Sequence, residues 1–181
     1  MPKSLCVYCA SSPDIDQAYK QLAHTVGHLC ALNHWQLITG AGSEGLMGAA
    51  NDGCKQAGGY VTGIIPQWMI DRGWLHSNLD KVIAVETMAQ RKQQFRDLCD
   101  AVLVLPGGYG TMEELFETLT QKQLGLFHKP LVILNYNNFY TKLIEWAHLC
   151  REQHFLRHDS DLSLWDIITS PEELFPLLNS K

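Results

Sequence analysis

Short, nearly continuous apolar runs alternate along this chain with longer stretches whose apolar positions return every three or four residues. The runs at 5–8, 36–39, 60–65, 82–85, 101–105 and 131–134 read as strands, with a shorter late candidate at 165–168. Several are apolar at every position rather than at alternate ones, which is the pattern of a strand covered on both faces. The stretches at 17–33, 46–57, 88–97, 112–126 and 139–153 carry helical spacing. From Ser170, the run Pro171, Glu172, Glu173, Leu174 reads as a short closing helix, because proline fits a first helical turn. Strands alternating with helices predict an α/β fold, a doubly wound Rossmann-like parallel sheet with helices on both faces. No repeat or Pro/Gly-rich linker divides the chain, so residues 1–181 are expected to form one domain.

Composition narrows the partners. Of the 181 residues, 46% are apolar and 18% charged, and the net charge is -5, so no electrostatic field gathers nucleic acid. A small phosphate ligand stays open, since a few backbone N–H groups and one arginine suffice to hold it. No apolar stretch is long enough for a membrane helix and none at the start resembles a secretory signal, which predicts a cytosolic protein with no membrane partner.

Two glycine-rich turns follow predicted strands, where ligands of such sheets collect. The first contains G-x-G-x-x-G at Gly40, Gly42 and Gly45, a weak dinucleotide signal by itself. The acidic residue a dinucleotide site wants at the end of the next strand is absent from the run Tyr60-Val61-Thr62-Gly63-Ile64-Ile65. A tight packing turn is the alternative. The second turn, Pro106-Gly107-Gly108-Tyr109-Gly110-Thr111, opens a predicted helix. Glycines there allow N–H groups to converge at a positive helix end, an arrangement suited to an anion. The G-K-[ST] of a triphosphate-binding loop is missing.

Beside this loop stand Glu113 and Glu114. The spacing Thr111-x-x-Glu114 is that of a capping box, and the spacing alone favours that reading over a catalytic one. The adjacent cations Arg91 and Lys92, in the run starting at Met88, face the same crevice or form a solvated basic turn. His24 and His28, and the series Cys150, His154, His158, lack any paired metal-ligand motif. Cys6 and Cys9 form a C-x-x-C at the end of a strand rather than at a helix start, so buried thiols are expected in place of redox or metal chemistry.

The run Pro106-Gly107-Gly108-Tyr109-Gly110-Thr111-Met112-Glu113-Glu114 resembles the P-G-G-x-G-T-x-E-E signature of the LONELY GUY family, the cytokinin riboside 5′-monophosphate phosphoribohydrolases. The resemblance extends through Cys9-Ala10-Ser11-Ser12, Gly45-Leu46-Met47-Gly48, Gly63-Ile64-Ile65-Pro66, Arg91-Lys92, Gln123-Leu124-Gly125 and Lys129-Pro130. It implies a Rossmann-like enzyme that releases free base and ribose 5-phosphate from a nucleoside 5′-monophosphate, AMP or a cytokinin nucleotide, with no cofactor or metal. Arg91 and Glu114 fall on the family's catalytic positions. Met88, Lys92, Gly107, Gly108, Tyr109, Gly110, Thr111, Glu113 and Thr120 are the expected substrate contacts. A homodimer or larger homo-oligomer is implied as well. The chain differs from the usual family pattern at Ala41, Gly73 and Gln121. Proteins of this type were once labelled possible lysine decarboxylases, but the sequence forms no recognisable pyridoxal-phosphate site. The alternatives are a nucleotide-binding or carrier module without turnover, in which both glutamates are caps, and an enzyme binding NAD at Gly40–Gly45.

Overall fold

The computed structural model describes residues 2–156 and 164–180. The strands are β1 (Ser4–Tyr8), β2 (Gln36–Thr39), β3 (Val61–Pro66), β4 (Lys81–Val85), β5 (Ala101–Val104), β6 (Leu131–Leu134) and β7 (Asp166–Ile168). They make one all-parallel sheet in the order β4-β3-β2-β1-β5-β6-β7. Every expected strand forms, within a residue at each end.

Because strand side chains alternate between faces, the sheet carries two cores. Leu5, Val7, Leu103, Leu105, Val132 and Leu134 point to one face. There they meet Leu22 and Val26 of α1 (Gln17–Leu32), Leu46 and Ala50 of α2 (Gly45–Gln56), and Leu174 and Phe175 of the closing helix Leu174–Asn179. Cys6, Tyr8, Val102, Val104, Leu131 and Ile133 point to the other. They meet Phe95 of α4 (Met88–Leu98), Leu115 of α5 (Tyr109–Gln123), and Leu143 and Ile144 of α6 (Thr141–Glu152). Helices therefore cover both faces, as the doubly apolar strands require. No helix among the described residues is long and apolar enough to cross a membrane.

Local chemistry sets several boundaries. The Asp16 carboxylate accepts the Ala18 N–H at 2.8 Å and starts α1. Thr87 and Gln90 form a reciprocal capping box at the start of α4. The largest departures from the expected helix boundaries are at the two ends of α5, and α6 starts two residues later than expected. The helix expected at 112–126 begins three residues earlier, at Tyr109, with Gly108 as its N-cap. It ends early because Gly125 turns left-handed (φ 70°), while the Leu126 N–H bonds back to Gln121 O and the Gly125 N–H to Lys122 O. One short helix, α3 (Gln67–Asp71), has no counterpart in the sequence reading. Five residues are too few to display a helical period.

Helices α1 and α2 touch backbone to backbone. A Cβ at Gly27 would lie 2.0 Å from Ala50 O, and one at Gly53 would lie 2.0 Å from His24 O. Gly27→Val should therefore force the pair apart and destabilise the fold by about 2–3 kcal/mol, read as a lower urea midpoint with an unchanged slope.

Candidate active site

Chain order along the sheet reverses between β1 and β5. From β1 the next strands run to one side, and from β5 to the other, so the loops leaving these two strands diverge and open a crevice at their carboxyl ends. A cavity of about 530 Å³ lies there. Its walls come from Ser11 and Ser12 after β1, Gly40 and Gly42 after β2, and Gly108 and Gly110 after β5. Arg91 and Glu114 also line it.

Arg91 is buried, and its guanidinium is spent carefully. Nε donates to Ile64 O at 2.9 Å and Nη2 to Gly40 O at 2.8 Å, which leaves Nη1 facing Glu114 Oε1 at 3.8 Å. Gly40 has to be glycine, since a Cβ there would fall 1.8 Å from Arg91 Nη2. Glu114 is also buried, and loss of water pushes its carboxyl up to about 7 against the opposing pull of Arg91. Burial likewise lowers the Arg91 pKa, offset by the Glu114 charge.

The capping-box expectation for Thr111 and Glu114 fails because the helix starts earlier. Thr111 becomes the third helical residue and Glu114 the sixth, too far along to reach the N-cap. Glu114 turns instead toward Arg91. The Thr111 side chain turns back under Gly107, where a Cβ would meet Thr111 Oγ1 at 2.0 Å. At Gly108 and Gly110 a Cβ would meet only open space. Both line the cavity, and the N–H groups of the first turn of α5 have no acceptor within the helix. A helix end of this kind suits an anion.

The other glycine turn behaves differently. Leu46 and Met47 N–H groups both donate to Ala10 O, at 3.0 and 3.2 Å, so the N-terminus of α2 is closed by the β1 loop. A Cβ at Gly45 (φ 63°) would press on Ser12 O at 2.7 Å. This turn is built for close packing, and the position where a dinucleotide would rest its pyrophosphate is already hydrogen-bonded.

The expected site residues fall into two groups. Arg91, Glu114, Gly108, Gly110 and Thr111 line one cavity. Lys92 pairs with Glu113 and Glu117, and Arg96 holds Glu117 at 2.7 Å, so Lys92 and Glu113 belong to a clasp between α4 and α5 outside the cavity lining. Met88 opens α4 without lining the cavity, and Tyr109 is 97% exposed. The Thr120 hydroxyl donates to Phe116 O, and the residue borders a separate hollow with Trp146. Residues the sequence did not single out also reach the cavity, namely Met69 and Trp74. They lie in a segment with no periodic pattern, and only the strand topology brings them there.

No cluster of metal-ligating side chains occurs among the described residues. His24 bonds to Gln56, and His158 lies outside the described residues. Cys6 and Cys9 are buried, and burial raises both thiols well above their ordinary range.

A family model described as "possible lysine decarboxylase" matches residues 47–178. The chain is 36% identical over 152 residues to cytokinin riboside 5′-monophosphate phosphoribohydrolase LOG4 of Arabidopsis thaliana, covering 84% of this chain and 71% of that protein. It is 33% identical over 178 residues to the probable cytokinin riboside 5′-monophosphate phosphoribohydrolase LOGL6 of Oryza sativa subsp. japonica, covering 98% and 71%. Among solved structures, the molybdenum cofactor binding protein of Rippkaea orientalis superposes with a TM-score of 0.76 at 23% identity, over 99% of this chain and 97% of that one. The molybdenum cofactor carrier protein of Chlamydomonas reinhardtii gives 0.75 at 20% identity over the whole of both chains. At that identity these two likenesses speak for the fold.

The raised Glu114 carboxyl has a consequence for stability. It titrates near 4.5 when exposed and near 7 when folded, so the folded state keeps the proton longer than the unfolded one. The resulting cost is absent below 4.5, grows as pH rises, and is complete above 7. Glu114→Gln, which cannot ionise, should be about 1–3 kcal/mol more stable than the native protein at pH 8 and nearly equal to it at pH 4. Thermal melts at both pH values check this, and equal stability at pH 8 would contradict it.

Proposed function

Because this chain belongs to the LONELY GUY family of cytokinin riboside 5′-monophosphate phosphoribohydrolases, we propose that it hydrolyses the N-glycosidic bond of a nucleoside 5′-monophosphate to free base and ribose 5-phosphate. The observation that carries this is the buried Arg91–Glu114 pair, set beside an open helix N-terminus in a single cavity. A 5′-phosphate rests on the N–H groups at Gly108, Gly110 and Thr111, where the helix end favours negative charge. The ribose then lies over Glu114.

As the bond between C1′ and the base stretches, its electron pair leaves with the base and positive charge grows on the sugar. The Glu114 carboxylate stabilises that charge and orients the attacking water, whose oxygen bonds to C1′. One water proton is released at the carboxylate, and the departing base takes up a proton, so the balance is nucleotide plus water to base plus ribose 5-phosphate. Arg91 stays charged throughout and is a poor acid. Its role is positioning: two carbonyl bonds fix the guanidinium, and the guanidinium fixes Glu114 and favours its ionised form.

We infer AMP as a substrate, alongside or in place of a cytokinin nucleotide, because AMP carries the same 5′-phosphate, ribose and purine ring for the cavity to hold. A homodimer or larger homo-oligomer fits the exposed Phe116, Leu124 and Trp146 on α5, its C-cap and α6. The decarboxylase description fits the cavity poorly. Its lining contains no lysine to hold pyridoxal phosphate as a Schiff base.

Incubating the protein with AMP and with isopentenyladenosine monophosphate should release free base, and no base from any nucleoside monophosphate would end the reading. Glu114→Gln should lower kcat by about 10² to 10⁴-fold with the fold intact. The native kcat/KM should rise with pH along a limb near 7, where Glu114 ionises, above the substrate phosphate's own ionisation at about 6. That limb should vanish in the residual activity of Glu114→Gln.

A further inference from the structure

The cavity is chemically divided. Ser11, Ser12, Gly108, Gly110 and Thr111 line it after β1 and β5, whereas Met47, Ile65, Met69 and Trp74 bring apolar surface from α2, β3 and the segment after it, with Ser43 and Glu44 alongside. Arg91 and Glu114 line the same cavity. A nucleoside monophosphate has the same division, with an anionic end and a flat aromatic end joined by a sugar.

Trp74 stands out on the apolar side. It is 46% exposed although it lines the cavity, so much of its indole is open to a ligand. The segment carrying it is held by its backbone. Gly73 ends α3 in the left-handed region (φ 75°), with the Gly73 N–H bonded to Ile70 O and the Trp74 N–H to Met69 O. Ser43 N–H donates to Trp74 O at 3.1 Å, and His76 N–H donates to Ala41 O at 2.8 Å. The His76 ring adds a clasp, accepting the Asn78 N–H and meeting Asp52 at 3.1 Å. Outside the cavity lining, Trp68 packs edge-to-face with Trp74 at 5.7 Å between centroids, and Arg72 lies over both indoles at 4.9 and 5.5 Å. The indole is thus held by Trp68 and Arg72 yet stays half exposed where it lines the cavity.

We propose that Trp74 is the stacking surface for the substrate's base, and that it makes this site selective for a purine-sized aromatic ring over smaller leaving groups. The proposal rests on the mononucleotide reading, since it assigns the phosphate to the opposite wall. Stacking on an indole needs no hydrogen-bond match, so it grips the ring while leaving substituents on the ring free to point outward past Trp74.

The test measures binding by calorimetry in the Glu114→Gln background, where the nucleotide survives. Ligands are AMP, which has both ends, and ribose 5-phosphate, which lacks the base. Trp74→Ala should weaken AMP about tenfold and Trp74→Phe about threefold or less, with ribose 5-phosphate unchanged in both. Because the segment is held through its backbone, the ribose 5-phosphate measurement also reports whether the cavity has kept its shape. Loss of both ligands together, unchanged AMP affinity, or equal loss in the Ala and Phe variants overturns the assignment. Absence of base release by the native protein would instead overturn the hydrolase reading, and the binding comparison would still decide the role of Trp74.

Discussion

Everything near the cavity is organised around one buried cation. Taking a guanidinium out of water is costly unless its donors find partners. Arg91 finds them at the carboxyl ends of two neighbouring strands, Ile64 O on β3 and Gly40 O just past β2. That requirement propagates outward. It excludes a side chain at Gly40, fixes where α4 crosses the sheet, and leaves one face of the guanidinium turned to Glu114. The strand ends hold the cation, and the cation holds the carboxylate. A carboxylate left alone at that depth would remain protonated well above neutral pH, and one in water would lack the electrostatic leverage a developing sugar cation needs.

The two helix N-termini facing the crevice show how a shared motif type serves different ends. Both follow glycine-rich turns after strands. At α2 the first free N–H groups are taken by Ala10 O, which ties the β1 loop to the helix. At α5 they remain open to the cavity. Glycine spacing cannot distinguish these cases, because the decisive partner, Ala10, is more than thirty residues away in sequence. Ala41 adds to the contrast. It holds φ 64°, a left-handed conformation that glycine adopts at less cost, and its carbonyl is the acceptor that clips the Trp74 segment in place.

How much of this was readable from the chain follows the same division between local and distant chemistry. The strands were legible because a strand buried on both faces must be apolar at each position, and β5, β6 and β1 after Ser4 are. The alternation with helices then gave the parallel sheet. The start of α5 was not legible, since Gly107, Gly108 and Gly110 read as turn although Gly110 tolerates helical geometry once Gly108 caps it. That three-residue error produced the false capping box, for Thr111 and Glu114 have the right spacing but the wrong register. Arg91 and Glu114 were candidates from their places beside the glycine loop, but their catalytic roles came from a family resemblance, and their distance from each other in sequence gives no local hint of the pair. Trp74 carried no signal, because α3 and the segment after it are held by contacts to Ala41 and Ser43 rather than by their own pattern.

The paired form of the motif, two cations and two carboxylates in adjacent positions, has a geometric reason. Neighbouring residues on a helix point about 100° apart, so each pair splits. Arg91 and Glu114 turn inward to the cavity, while Lys92 and Glu113 turn outward into the clasp that continues through Glu117 and Arg96. The outer contacts join α4 to α5, the two helices whose separation sets the inner one. Lys92 and Arg96 are largely buried in this clasp, and several ion pairs that share one interface define how the helices register. The outer contacts thereby help to set the distance between Arg91 and Glu114.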